Sequence, residues 1–209
     1  MREYDFEPVR GLPEDLPDDE RIVWQGSPDW RVFARSALYT RWVTGYFVAL
    51  ALFALASGGL GGAIATGLAG VAALGLLALF AVLVAKTTVY TITNKRIVLR
   101  IGIALNKCIN LPLKVIGSAD LRAHGGGFGD ISVTLTAAHR LGYAVLWPHV
   151  RPFHFREPQP MLRALPEAEN VARILAETCA AIAPNHKGEA LHPEERSAQA
   201  RGGMTEAHA

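Results

Sequence analysis

Across the 44 residues between Arg41 and Lys86 the sequence has no Asp, Glu, Lys, Arg or His. That gap excludes an ordinary surface segment there, because a soluble helix keeps one charged face. Cysteine is scarce as well. Cys108 and Cys179 are the two in the chain, too far apart in sequence for a CxxC metal or redox site, and too few for a disulfide framework. No G-x-S-x-G elbow exists, so His124-Gly-Gly-Gly127 has no nucleophile to serve as an oxyanion loop. A phosphate-binding G-K-[ST] sequence is also missing. The seven histidines are scattered, and His149 and His154, the nearest pair, straddle Pro152 without a carboxylate or cysteine at ligand spacing. Neither a catalytic constellation nor a metal set is present, which argues against an enzyme.

The uncharged run itself is the strongest signal. A bilayer core about 30 Å thick needs about 20 helical residues, so the run suits two passes. Ser57-Gly-Gly-Leu-Gly-Gly62 sits at its middle and suits a tight turn, which predicts spans near Trp42–Ser57 and Ala63–Ala85. A buried soluble hairpin is the alternative. A cleaved signal peptide would lie at the N-terminus with a cleavage site behind it. Arg31, Arg35 and Arg41 precede the run, Lys86, Lys95, Arg96 and Arg100 follow it, and the turn between is uncharged. The positive-inside rule then places both ends in the cytoplasm. Residues 1–41 carry a net charge of −3 and residues 87–183 a net of +5. A mildly basic domain held near anionic headgroups is drawn towards them. The basic residues form no dense stripe, which argues against nucleic acid.

Five regions emerge along the chain. Residues 1–26 read as an extended arm, acidic and broken by Pro8, Pro13 and Pro17, ending in a short strand at Arg21–Gly26. Residues 27–41 read as an amphipathic juxtamembrane helix, with Ser27 as N-cap and Pro28 in the first turn. Its apolar residues, among them Trp30, Phe33 and Trp42, fit a helix lying in the membrane interface; packing against a soluble domain is the competing reading. Residues 42–86 form the hairpin. Residues 87–183 turn to strands: Thr87–Thr93 and Arg96–Ile101 around an Asn94-Lys95 turn, then Ile103–Leu111, Val115–Leu121, Asp130–Thr136, Tyr143–Trp147 and Phe153–Phe155. Pro166-Glu167 opens a helix to about Ala183, with Val171, Ile174, Leu175, Thr178 and Ile182 as its buried stripe. Residues 184–209 are polar and expected to be disordered.

Tyr90-Thr-Ile-Thr-Asn-Lys-Arg-Ile-Val-Leu-Arg-Ile-Gly102, with Leu111-Pro-Leu113, Ile116 and Gly127-Phe-Gly-Asp130, resembles bacterial pleckstrin-homology (PH) domains. The expected fold is therefore a membrane hairpin of two transmembrane helices plus an α+β, PH-like small β-barrel or sandwich closed by a C-terminal helix. Tyr4-Asp-Phe-Glu-Pro8, Gly11-Leu-Pro-Glu14 and Glu20-Arg-Ile-Val-Trp-Gln-Gly-Ser-Pro28 resemble the PuhB family of photosynthetic complex assembly proteins. That resemblance covers about residues 4–183 and brings no catalytic residues. It implies a membrane assembly factor for the bacterial reaction centre and its light-harvesting ring. A general membrane adaptor, or an anionic-lipid-binding protein unrelated to photosynthesis, is the other reading.

For such a factor the partners are reaction-centre and light-harvesting subunits, membrane lipids and a second copy of the chain. Candidate contacts lie in three places: the aromatic Trp30, Phe33 and Trp42; the small residues Ala65, Gly67, Ala69 and Ala73, which let helices approach closely; and Arg151, Phe153 and Arg156 in an aromatic-cationic loop. Ala65, Ala69 and Ala73 equally suit the seam inside the hairpin. The spans contain no histidine to ligate bacteriochlorophyll magnesium, so no resident cofactor is expected, and nothing requires transient bacteriochlorophyll contact.

Overall fold

A computed structural model describes residues 11–12, 14–103, 106–136 and 141–182. The arm motif at residues 4–8 and the tail from residue 184 lie outside them. Among the described residues seven strands form two antiparallel sheets. The first sheet joins β1 (Ile22–Gly26), β2 (Val89–Thr93), β3 (Arg96–Ile101) and β4 (Lys107–Pro112) in that order. The second joins β5 (Ile116–Gly125), β6 (Phe128–Leu135) and β7 (Met161–Leu165). Between them lies one apolar core, built from Ile92, Ile97, Leu99, Leu111, Ile131, Val133, Leu162 and Leu165, and helix α5 (Ala168–Ile182) presents Val171 and Leu175 to it. The stripe expected on α5 is the face that packs. The PH-like arrangement of antiparallel sheets with a C-terminal helix is thus present.

The helices interrupt the first sheet between β1 and β2. Helix α1 (Trp30–Ser36) leads to α2 (Thr40–Ala56) and α3 (Leu60–Thr87). Gly58, at φ +77°, supplies the left-handed residue of the turn between α2 and α3. A Cβ on Gly70 would lie 2.9 Å from Phe47 Cβ, and one on Gly62 would lie 3.7 Å from Ala54 Cβ, so the two helices run antiparallel with glycines making room in the seam. Among the described residues α3 alone is long and apolar enough to cross a bilayer by itself; α1 and α2 qualify only as a pair, bent by 60° at their break. Tyr39, at φ +52°, sits at that elbow.

Several expectations need correction. The short strand expected at the end of the arm, Ile22–Gly26, belongs to the first sheet instead, pairing with β2 over the register Ile22↔Thr93 to Gly26↔Tyr90. Asp29, not Ser27, caps α1: its Oδ1 accepts the N–H groups of Arg31 and Val32, each at 2.9 Å. Tyr143–Leu146 is a short helix, α4, rather than a strand, and no strand forms at Phe153–Phe155. The seventh strand is Met161–Leu165, whose five residues are all buried and so show no alternation.

Candidate interaction surface

The helices are fastened to the sheets by buried polar contacts. Opposite Asp130 on β6, strand β7 carries two residues, Arg163 and Ala164, in a bulge between the pairs Ile131↔Leu162 and Gly129↔Leu165. Ala164 has φ +51°. Its N–H donates to Asp130 Oδ1 at 2.7 Å, and its carbonyl accepts the N–H of Asp29 at 2.9 Å, which sets the start of α1 on the sheet. Phe33 then faces inward. It is fully buried, beside Ala81 and Val84 of α3 and Ala164 of β7. The expectation that this apolar face lies in the membrane interface is therefore overturned, and Phe33 is a packing residue rather than a contact residue. The polar rim of α1 gave the sequence its amphipathic pattern; the apolar face meets protein.

His149 completes the junction. Its Nδ1 lies 2.7 Å from Tyr90 Oη, its Nε2 lies 3.3 Å from Thr88 Oγ1, and its ring centroid is 5.8 Å from that of Phe33. Tyr90 Oη accepts the N–H of Arg163 at 3.2 Å, so its own proton is directed to Nδ1, and Nε2 carries the imidazole hydrogen. Burial, with Arg163 nearby, lowers the His149 pKa to about 3, and burial raises that of the Tyr90 phenol above its usual range. Both are uncharged at neutral pH. Enclosed and fully bonded, the pair joins the end of α3 to the sheets. His154, its neighbour in sequence, lies apart, with Nδ1 2.9 Å from Pro152 O in its own loop.

The outward faces of α2 and α3 are strongly apolar. Trp42 is 79% exposed and Phe53 and Val71 are each 71% exposed. Tyr46, Leu52, Leu60, Leu68 and Leu76 are exposed beside them. Water is a poor solvent for so continuous an apolar surface. Ala65, Gly67 and Ala69 fall on the exposed part of α3, whereas Ala73 is half-buried near the seam. Gly70 is the buried glycine of the seam. At 28 residues α3 is about 42 Å long, against about 26 Å for the 17 residues of α2. The surplus is its last turns, where Ala81 and Val84 meet α1 and where Phe80 meets the Trp147 ring at 5.7 Å.

Arg151, Phe153 and Arg156 share one loop. Arg151 is engaged, donating through Nη1 to Gln159 Oε1 at 3.0 Å and lying 3.3 Å from Asp120 Oδ2. Phe153 is 84% exposed at φ +63°, and the Phe155 ring packs tilted against that of Tyr143, with centroids 4.7 Å apart. Phe153, Phe155 and Arg156 border an open groove of about 500 Å³. Trp30 is exposed at the start of α1, with the Arg31 guanidinium 4.9 Å from its ring centroid. The structure thus leaves Trp30 on α1, Trp42 on α2 and the loop of Phe153 and Arg156 available for contact, in three separate places. Reasoning from sequence missed Trp147, whose neighbours Tyr143–Leu146 imitate a strand, and Asp130, whose role depends on the β7 bulge.

Residues 43–178 match the sequence pattern of the bacterial PH domain family. A Rhodobacter capsulatus protein described as an uncharacterized 23.7 kDa protein in the puhA 5′ region is 45% identical over 189 residues, spanning 86% of this chain and 88% of that protein.

Proposed function

The chain belongs to the bacterial PH domain family, and from that premise we propose that it is a membrane-bound assembly factor for the photosynthetic reaction centre. The observation that carries this reading is the 45% identity, over most of both chains, to a Rhodobacter capsulatus protein placed by its description beside puhA, a reaction-centre gene. The likeness of the Tyr4–Pro8, Gly11–Glu14 and Glu20–Pro28 segments to the PuhB family points the same way.

In this reading α2 and α3 cross the inner membrane as a hairpin, with both chain ends and the PH-like domain in the cytoplasm. Two features support two crossings over one. First, β1 and β2 pair directly, so the chain leaves and returns on the same side. Second, the outer faces of both helices carry the large apolar side chains that lipid or a membrane partner covers.

The factor works by binding, not by chemistry. Its hairpin packs laterally against nascent reaction-centre or light-harvesting helices, through Trp42 and the exposed small residues Ala65, Gly67 and Ala69. Its domain holds extramembrane surfaces through the Phe153 loop. A second copy can occupy the same helix face before a subunit arrives. A later subunit displaces the factor. No resident cofactor takes part. Deleting the gene tests the proposal: reaction-centre yield should fall while bacteriochlorophyll synthesis continues, and unchanged reaction-centre levels would contradict it.

A further inference from the structure

The elbow between α1 and α2 and the β5–β6 hairpin enclose a cationic cleft that neither the fold nor the assembly reading uses. Two cavities meet there, of about 430 Å³ and about 170 Å³, sharing Arg35, Ser36 and His124 as lining. Arg41 adds a positive charge at the wider end, and Arg122 and Arg163 add theirs at the narrower. Asp130 is the acidic residue on the lining; its Oδ1 accepts the Ala164 N–H at 2.7 Å, and its Oδ2 lies 2.8 Å from His124 Nε2.

Three polar groups at this cleft are buried without a hydrogen-bond partner among the described residues: Arg163 Nε, Ser36 Oγ and His124 Nε2, the last facing Asp130 Oδ2 at 2.8 Å. Arg163 is only 6% exposed. One of its terminal nitrogens, Nη2, donates to Val150 O at 2.8 Å, which fixes the guanidinium while its Nε remains unanswered. A buried guanidinium donor without an acceptor is costly, and an oxyanion is the acceptor that suits its planar fork. The wider cavity is open beside Gly125 and Gly126, where φ values of +83° and +64° keep the hairpin turn free of side chains.

The position of Arg41 selects the kind of oxyanion. It lies in the first turn of α2, next to exposed Trp42, where the polar cleft gives way to the apolar helix surface. We propose that this cleft binds the phosphate of an anionic membrane lipid, with Arg35, Arg122 and Arg163 around the phosphate and the acyl chains along α2. The proposal rests on the reading that the hairpin is embedded in the bilayer. It gives the domain a fixed height and rotation at the membrane surface, set by a ligand rather than by charge attraction alone.

The test uses the full chain, purified in mild detergent and exchanged into phosphatidylglycerol, phosphatidylcholine or inorganic phosphate, with bound molecules counted by native mass spectrometry. One phosphatidylglycerol per chain should be retained in preference to phosphatidylcholine. R35Q and R122Q, both changes at exposed positions, should weaken retention about tenfold or more, the loss expected for a charge-assisted contact. R173Q, on α5 away from the cleft, should leave retention unchanged, and thermal unfolding of each variant checks that the fold survives. Equal retention of both lipids, or retention unaffected by R35Q and R122Q, would overturn the proposal. Displacement of the lipid by millimolar inorganic phosphate would assign the cleft to a free anion and also overturn it. A chain released from membranes by carbonate would sink the embedded-hairpin reading, whereas one that needs detergent for release yet retains no phosphatidylglycerol would sink the lipid site alone.

Discussion

Gly26 lies opposite Tyr90 in the antiparallel pair of β1 and β2, although α1, α2 and α3 separate them in sequence. The helices are thus an insertion within one sheet, and the PH-like domain is completed by chain from both sides of them. A single membrane crossing would place β1 and β2 on opposite faces and forbid this pairing. An even number of crossings permits it.

The chain ahead of β1 is stitched to the β2–β3 turn, and this should be measurable. Glu20 Oε1 accepts from Thr93 Oγ1 at 2.7 Å and from Arg96 Nε at 2.8 Å, and its carboxylate is almost fully buried. Asp19 pairs with Lys95 alongside, and that hydrogen bond lowers the Asp19 pKa. Glu20→Ala removes the acceptor of Arg96 Nε and leaves Thr93 Oγ1 with the Arg96 carbonyl alone, and should destabilise the protein by about 1–3 kcal/mol. Asp18→Ala, at an exposed neighbour, should change little. Thermal unfolding in detergent compares them, and hydrogen exchange should show faster exchange of β1 amides in the Glu20 variant.

His149 gives the fold a dependence on pH. Its pKa in the folded chain is about 3, below the value of about 6.5 for an unfolded histidine. Between those values the unfolded chain holds a proton that the folded chain refuses, so stability rises with pH there. The contribution is complete above about pH 6.5 and is lost as pH falls towards 3. From pH 6.5 to 5 the loss should be about 2 kcal/mol. His149→Gln, which keeps hydrogen-bonding capacity without the titration, should start less stable at pH 7.5 and fall by that much less on acidification. Parallel stability curves for the two proteins would contradict the assignment.

The hairpin seam separates two glycines that look alike in sequence. A Cβ on Gly70 would meet Phe47 Cβ at 2.9 Å and Cγ at 3.0 Å, while one on Gly67 meets nothing within 4 Å. Gly70→Val should force the helices apart and cost about 1–3 kcal/mol. Gly67→Val should leave the isolated protein as stable as before. If Gly67 contacts a partner helix, its variant should instead lower recovery of reaction-centre subunits in a mild-detergent pull-down.

The features legible in the sequence were those with local signals. The uncharged run marked α2 and α3 to within a few residues. Asn94-Lys95 marked the β2–β3 hairpin, and the stripe through Val171 and Leu175 marked α5. What escaped depended on contacts distant in sequence. The pairing of β1 with β2 spans the whole insertion. Met161–Leu165 is buried on both faces, and its Leu and Ala residues favour helix as readily as strand. Phe33 has the spacing of a membrane-facing residue, and only the positions of Ala81, Val84 and Ala164 give it a protein environment. The cationic cleft draws on α1, α2, β5, β6 and β7, so no local motif announces it.

Membrane topology tests the central claim most directly. Single-cysteine variants at Ser57, in the turn between α2 and α3, and at Ser118, exposed on β5, can be made after replacing Cys108 and Cys179 with serine. In intact spheroplasts a membrane-impermeant maleimide should label Ser57→Cys, while Ser118→Cys should react only after lysis. Labelling of both positions, or of neither, before lysis would contradict a hairpin that crosses the membrane twice.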